Sequence, residues 1–278
     1  MSDLIADIAR QLDAGRVIPY LGPGMLALCA GDPVPATPQA LVALMTAKVS
    51  VPHKIRQRLT QAAQYIENFK HRKSVVQIMD GAFAAVPEPS PLHRALAASA
   101  APLWVDTWYD DTLLAALRQA RPQGGWRQVQ GVSQSEHFGQ WTASYDADDQ
   151  PTDAPLADAV PLLYRPLGGR SPAGNYLVSD SDHVEVLTEI DIQTPIPAVV
   201  QERRKGRHFL FLGCRFDDQL TRSFARQIMK RSSDTHWAVL PDAPTRMEAR
   251  FLEEQGIARL PLSLAAFADG LTQALAPA

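Results

Sequence analysis

The chain has 278 residues, 46% of them hydrophobic, and a formal net charge of -3 at pH 7. This is enough apolar material for a substantial core, and the interspersed, slightly acidic charge gives no basic footprint for nucleic acid. Two cysteines, Cys29 and Cys214, exclude a four-cysteine zinc module and argue against a disulfide framework, so no metal is expected and both thiols are expected as small buried hydrophobes.

The N-terminus, Met1-Ser2-Asp3-Leu4-Ile5-Ala6-Asp7, lacks the basic start and long apolar run of a signal peptide. No later stretch is long and apolar enough to cross a bilayer, so a cytoplasmic protein without a membrane partner is expected. Leu4, Ile5, Ile8 and Leu12 recur at helical spacing, and Gly15 ends that helix. Val17 to Leu21 is a short buried strand that runs into Gly22-Pro23-Gly24. Without side chains, Gly22 and Gly24 let the backbone come close to a ligand and face N–H groups to a diphosphate; the alternative is a flexible loop between strand and helix. Pro23 has no N–H and lowers the donor count.

Residues 38–90 carry long helical patterning, with Leu59, Ala62, Ala63, Ile66 and Phe69 on one face, and are expected as a helical subdomain. Its basic positions, Lys54, Arg56, Arg58, Lys70, His71, Arg72 and Lys73, form a solvated face or attract an anion. A helix over Pro91 to Ala98 then precedes a second buried strand, Leu103-Trp104-Val105-Asp106-Thr107, with His93 structural beneath it. Residues 121–158, rich in Gly, Gln, Ser, Asp and Pro, are expected as a loop-rich insertion.

Three further apolar strands follow: Val160 to Tyr164, His208 to Leu212 and His236 to Leu240, with a helix from Asp217 to Arg231 between the last two. Such strands, separated by helices, predict an α/β protein with a parallel sheet covered on both faces. Ligands on such sheets sit at the carboxyl ends of the strands, here Leu21–Gly24, Thr107–Asp111, Leu167–Gly169 and Gly213–Asp218. The acidic and apolar segment from Val184 to Pro197 is a connector or an interaction surface, and Arg203, Arg204, Lys205 and Arg207 form a charged turn leading into a strand.

In this order the four strand ends resemble the SIR2-like family, sirtuin-related proteins that bind NAD and cleave its nicotinamide bond. Tyr20-Leu21-Gly22-Pro23-Gly24 is similar to the family's Phe-Leu-Gly-Ala-Gly turn, and Pro91-Leu92-His93 with Thr107-Trp108-Tyr109-Asp110-Asp111 to its Pro-x-x-His and Thr-Asn-Tyr-Asp segments. Leu163-Tyr164-Arg165-Pro166-Leu167-Gly168 stands where the family has Lys-Leu-His-Gly. Leu177-Val178-Ser179-Asp180-Ser181-Asp182 resembles its Leu-Thr-x-x-Asp stretch, and Phe211-Leu212-Gly213-Cys214-Arg215-Phe216-Asp217-Asp218 the strand ending Gly-Tyr-Ser-Leu-x-Asp. The resemblance is to stand-alone bacterial members without a zinc module, and it covers most of the chain as one domain. It implies a Rossmann-like sheet with an inserted helical subdomain.

The resemblance further implies that Gly22, Pro23, Gly24, Tyr109, Asp110, Gly168, Ser179, Gly213, Cys214 and Asp218 bind NAD or ADP-ribose, although Asp218 is better suited to cap the helix that begins beside it, Asp being favoured there whatever the ligand. The catalytic positions depart from the pattern. Trp108 replaces the asparagine that holds the nicotinamide ribose and a water, Leu167 replaces the histidine general base, and Leu26 replaces a small hydroxyl residue. Leucine accepts no proton, so no catalytic residue is assigned. The expectation is a degenerate member that binds NAD, ADP-ribose or a related nucleotide as a sensor or accessory factor, with a protein partner or homo-oligomer left open. The alternatives are an active NAD hydrolase or deacylase whose base is displaced, with His137 and His183 as candidates, and a scaffold with a repacked pocket, such as an accessory of a bacterial metabolic cluster like nitrogen fixation.

Overall fold

The computed structural model describes residues 2–31, 33–189 and 195–276; residues 190–194 of the acidic and apolar segment lie outside them. In chain order the elements are α1 (Ser2–Asp13), β1 (Val17–Leu21), a 3-10 turn (Pro23–Leu28), α2 (Pro38–Lys48), α3 (Leu59–Lys70), α4 (Arg72–Ala82), α5 (Pro91–Ala98), β2 (Leu103–Asp106), α6 (Thr112–Ala120), β3 (Arg127–Gly131) and β4 (Thr142–Tyr145). They continue with β5 (Leu162–Arg165), β6 (Gly168–Gly169), β7 (Asn175–Tyr176), α7 (Asp180–Glu189), α8 (Ala198–Arg203), β8 (His208–Leu212), α9 (Gln219–Met229), β9 (His236–Val239), α10 (Arg246–Glu254), β10 (Ile257–Leu260) and α11 (Leu264–Leu275).

Eight strands form one sheet in the order β10-β9-β8-β1-β2-β5-β3-β4, parallel throughout except for the antiparallel β3–β4 pair. This is a Rossmann-like α/β architecture. β1 lies in the middle, paired with β8 from Val17↔His208 to Leu21↔Leu212, and all five of its residues are buried. A strand covered on both faces needs a continuous apolar run, which is what Val17 to Leu21 supply. The chain passes from β1 to β2 on one side and returns through β8 on the other, so the strand order reverses between β1 and β8. The carboxyl ends of those two strands are therefore the switch point where such sheets take ligands.

Helices α1, α5, α6 and α11 cover one face through Ile8, Leu12, Leu96, Leu117, Phe267 and Leu271; α8, α9 and α10 cover the other through Val200, Ile228 and Phe251. Helices α2, α3 and α4 form a third layer, whose Leu41, Met45, Ile66 and Met79 pack against Trp108, Tyr109 and Tyr176 beyond the end of β2. Local signals set the helix ends. Thr37 and Ser90 accept N–H bonds from Ala40 and His93 ahead of Pro38 and Pro91, and Thr245 with Glu248 completes a capping box on α10. His71, at φ +67, turns the chain between α3 and α4 and divides the long helical pattern in two.

Three expectations are corrected. Residues 121–158 are not only loop: they contribute β3 and β4 to the main sheet. No apolar run marks β3 because its buried positions include Gln128 and Gln130; the Gln130 amide donates to the Gln128 side-chain oxygen at 3.1 Å and to the Ser171 carbonyl at 2.5 Å. Arg72 is not on a solvated face. It donates to Asp182 at 2.8 Å, Glu136 at 3.0 Å and Glu67 at 3.3 Å and to the Tyr176 carbonyl, tying α4 to the β3–β4 connection and α7. Arg203 and Arg204 are buried, with Arg204 donating to the carbonyls of Gln227 and Ile228 at 2.7 and 2.9 Å, at the negative end of α9.

Candidate functional site

At the switch point the two glycine turns lie against each other. The Gly22 N–H donates to the Leu212 carbonyl and the Gly24 N–H to the Gly213 carbonyl, both at 2.9 Å. With Pro23 lacking an N–H, every donor of the turn is absent or engaged within the protein. A Cβ on Gly22 would sit 2.6 Å from the Gly213 oxygen, one on Gly24 2.8 Å from the same oxygen, and one on Gly213, at φ +64, 2.3 Å from the Met25 nitrogen. Glycine is thus required here by the approach of one backbone to another. Cys214 is buried, its thiol 3.6 Å from the Tyr20 carbonyl, and burial pushes its pKa well up, leaving it unreactive.

The far side of the crevice is filled. Trp108 is buried, its indole N–H donates to the Pro35 carbonyl at 2.8 Å, and its ring packs 6.0 Å from Phe83 and 5.1 Å from Tyr109. The Tyr109 hydroxyl donates to the Leu177 carbonyl at 2.8 Å. Leu26 is buried in the same cluster, and half-buried Leu167 packs against it. Burying aromatics in this way contributes about 2–3 kcal/mol each.

Beneath them lies a polar network centred on Arg165, which is fully buried. Arg165 Nη1 bonds Asp111 Oδ1 at 3.0 Å, its Nε stands 3.7 Å from Asp106 Oδ2, and its Nη2 donates to the Asp110 carbonyl. The Ser171 hydroxyl donates to Asp111 at 2.6 Å, and the Asp110 carboxylate takes the Thr112 N–H at 2.9 Å and its hydroxyl. Burial raises the Asp106 pKa to about 8, with Arg165 opposing and Asp110 reinforcing, so Asp106 holds its proton at neutral pH. Sequence reasoning did not single out Asp106 or Arg165. The available signal was a charged residue closing each of two apolar strands, Leu103 to Asp106 and Leu162 to Arg165.

The remaining expected residues are held in contacts of their own. Gly168, at φ +75, pairs with β7, where a Cβ would lie 2.2 Å from the Asn175 oxygen; a Cβ on Gly169 would lie 2.0 Å from the Arg165 guanidinium carbon. Ser179 is buried and accepts the Asp182 N–H at 3.4 Å at the start of α7. Asp218 caps α9, accepting the N–H groups of Leu220 and Thr221 at 2.7 and 3.3 Å. The structure therefore brings Gly22, Pro23, Gly24, Gly213 and Cys214 together at the crevice, with Tyr109 and Asp110 after β2, and sets Gly168, Ser179 and Asp218 in separate local roles. Of the two candidate bases, His137 is exposed in the β3–β4 connection, and His183 is buried 5.6 Å from the Phe224 ring with its Nδ1 donating to the Ser179 carbonyl at 2.9 Å. His93 is buried against the Ser90 hydroxyl at 2.8 Å, and burial lowers its pKa to about 4.

Among the described residues no group of three or more His, Cys, Asp or Glu is placed to hold a metal, and no helix is long and apolar enough to cross a membrane. The family model for the SIR2-like domain matches residues 102–260, more than half of the chain and spanning β2 to β10, and the chain belongs to that family. No curated protein matches it. The SIR2-like family generally binds NAD. As the strands are paired here, Gly22 and Gly24 give their N–H groups to the carbonyls of Leu212 and Gly213, Pro23 has none, and the other strand end lies against the turn.

Proposed function

We propose that this SIR2-like protein is catalytically degenerate and acts by binding, as an accessory factor, rather than by cleaving NAD. The observation that carries the reading is Trp108: at the position that resembles the family's ribose-holding asparagine, its only polar hydrogen is committed to the Pro35 carbonyl inside an aromatic cluster. Leu167, where the resemblance places a histidine, packs against the same cluster and accepts no proton. Losing a general base alone costs about a hundredfold to ten-thousandfold in rate.

A second reading, a sensor of NAD or ADP-ribose, is favoured by the make-up of the crevice closure. Main-chain hydrogen bonds hold Gly22 and Gly24 against Leu212 and Gly213, and a diphosphate would compete for those same N–H groups. Calorimetric titration with NAD and with ADP-ribose, on samples also assayed for released nicotinamide, separates the readings. The accessory reading expects neither heat nor release, the sensor reading expects heat without release, and nicotinamide release by the unaltered protein that ADP-ribose inhibits overturns both.

A further inference from the structure

The outer faces of α9 and α10 form a shallow groove lined by Arg222, Arg226, Arg250, Met247, Phe251 and Glu254, among others. Its charge is unbalanced. Arg226 and Arg250 share the single carboxylate of Glu254, at 3.3 and 2.6 Å. Arg222 is held by the carbonyls of Phe216 and Asp217, at 2.5 and 2.8 Å. A second depression shares Arg226 and Glu254, continues past the end of α9, and adds Arg231 and Asp234. Four arginines, Arg222, Arg226, Arg231 and Arg250, therefore stand with Glu254 and Asp234 among the described residues of the groove, on a chain whose net charge is -3. Arg226 is also supported from below by the Phe251 ring, 5.8 Å from its guanidinium, and Met247 stands at the rim with 49% of its surface exposed.

We propose that this groove docks an acidic, extended segment of a partner protein. Guanidinium groups held in place by main-chain carbonyls and an aromatic ring pair bidentately with carboxylates at little entropic cost, and clustered arginines are a recurrent way of reading acidic motifs. Exposed Met247 offers a flexible apolar contact for a hydrophobic side chain in such a segment. Glu254 decides between classes of polyanion. It would repel an unbroken phosphate backbone, whereas a peptide can place its carboxylates on either side of it, and Phe251 is too deeply buried to stack a base. The inference deepens the accessory reading by giving the partner's chemistry, and it rests on α9 and α10 rather than on the crevice.

The test uses the full chain and a fluorescein-labelled peptide of about twelve residues, Glu and Asp with one central Leu, followed by anisotropy at about 50 and 300 mM salt. Saturable binding that weakens about tenfold with salt is expected, with a further loss of at least about tenfold in Arg222→Gln/Arg226→Gln/Arg250→Gln and no change in a control, Arg56→Gln/Arg58→Gln. Met247→Asp, at an exposed rim position, provides a second variant should the triple change disturb folding, and is expected to weaken binding as well. Absence of binding, equal loss in the control, no loss in any groove variant, or tighter binding of a single-stranded oligonucleotide overturns the proposal. The nucleotide titration reads the crevice separately, so failure of one reading leaves the other distinguishable.

Discussion

Gly24 donates its N–H to the carbonyl of Gly213 at 2.9 Å, and the space in which a side chain on residue 213 would begin is taken by the Met25 nitrogen, 2.3 Å away. Two residues far apart in sequence are each glycine because of the other. The same geometry that resembles a phosphate cradle at the level of the sequence closes the crevice when the strand ends are paired.

Gly213→Ala is expected to destabilise the protein by about 3 kcal/mol or more, since it combines left-handed strain with a backbone clash. Gly31→Ala, at φ +71 with nothing within 4 Å, isolates the strain and is expected to cost about 1 kcal/mol. Urea denaturation of both variants checks the difference; equal costs would mean that the junction yields.

Asp106 has a folded pKa near 8, above the ordinary carboxylate value of about 4, so the folded state binds the extra proton between those limits. Its stabilising contribution is present below about pH 4 and is lost as pH rises through 8. Asp106→Asn, which mimics the protonated form, is expected to flatten the fall of stability between pH 6.5 and 8. Asp111→Asn leaves Arg165 with one fewer buried carboxylate and is expected to cost about 3 kcal/mol at every pH in that range. Thermal melts across pH distinguish the two.

His93 and His236 are buried neutral, both held near 4 mainly by burial, and the Nδ1 of His236 accepts the Phe209 N–H at 2.9 Å. Their contribution is complete above the unfolded histidine value of about 6.5 and is lost as pH falls through 4. Two histidines lose stability towards acid while Asp106 alone gains it, so the three together place the stability maximum near pH 6.5. Ring NMR signals assigned to His93 or His236 that titrate at 6 or above in the folded protein would contradict this.

Arg72 joins α4 to α7 through Asp182, whose pKa burial would raise but which Arg72, the Ser133 hydroxyl and two main-chain N–H groups together hold below the ordinary value. Arg72→Met is expected to cost about 3 kcal/mol and to expose residues 59–82 to limited proteolysis before the sheet. Cleavage that begins elsewhere would show that the layer is held by its apolar contacts alone.

Trp108→Asn restores the residue type of the family pattern but removes a buried indole and orphans the Pro35 carbonyl. It is expected to cost about 3–5 kcal/mol and to produce no nicotinamide release. Release in this variant would show that the crevice is closed by Trp108 alone.

Much of this protein is determined by the sequence alone. The apolar runs of β1, β2, β5, β8 and β9 specify strands buried on both faces, because only a parallel sheet with helices on each side shelters so many consecutive hydrophobic residues. The order of strand-end segments identifies the family, and Asp218 is recognisable as a cap because capping is a local matter. The tertiary structure alone decided what the glycines, Arg72 and the β3 glutamines do. Gly22 touches Gly213, Arg72 touches Asp182, and Gln130 touches Ser171 only after distant segments meet. Residue type reveals the freedom of a glycine or the charge of an arginine, but whether these serve a ligand, the solvent or another part of the chain depends on long-range pairing that no local pattern encodes.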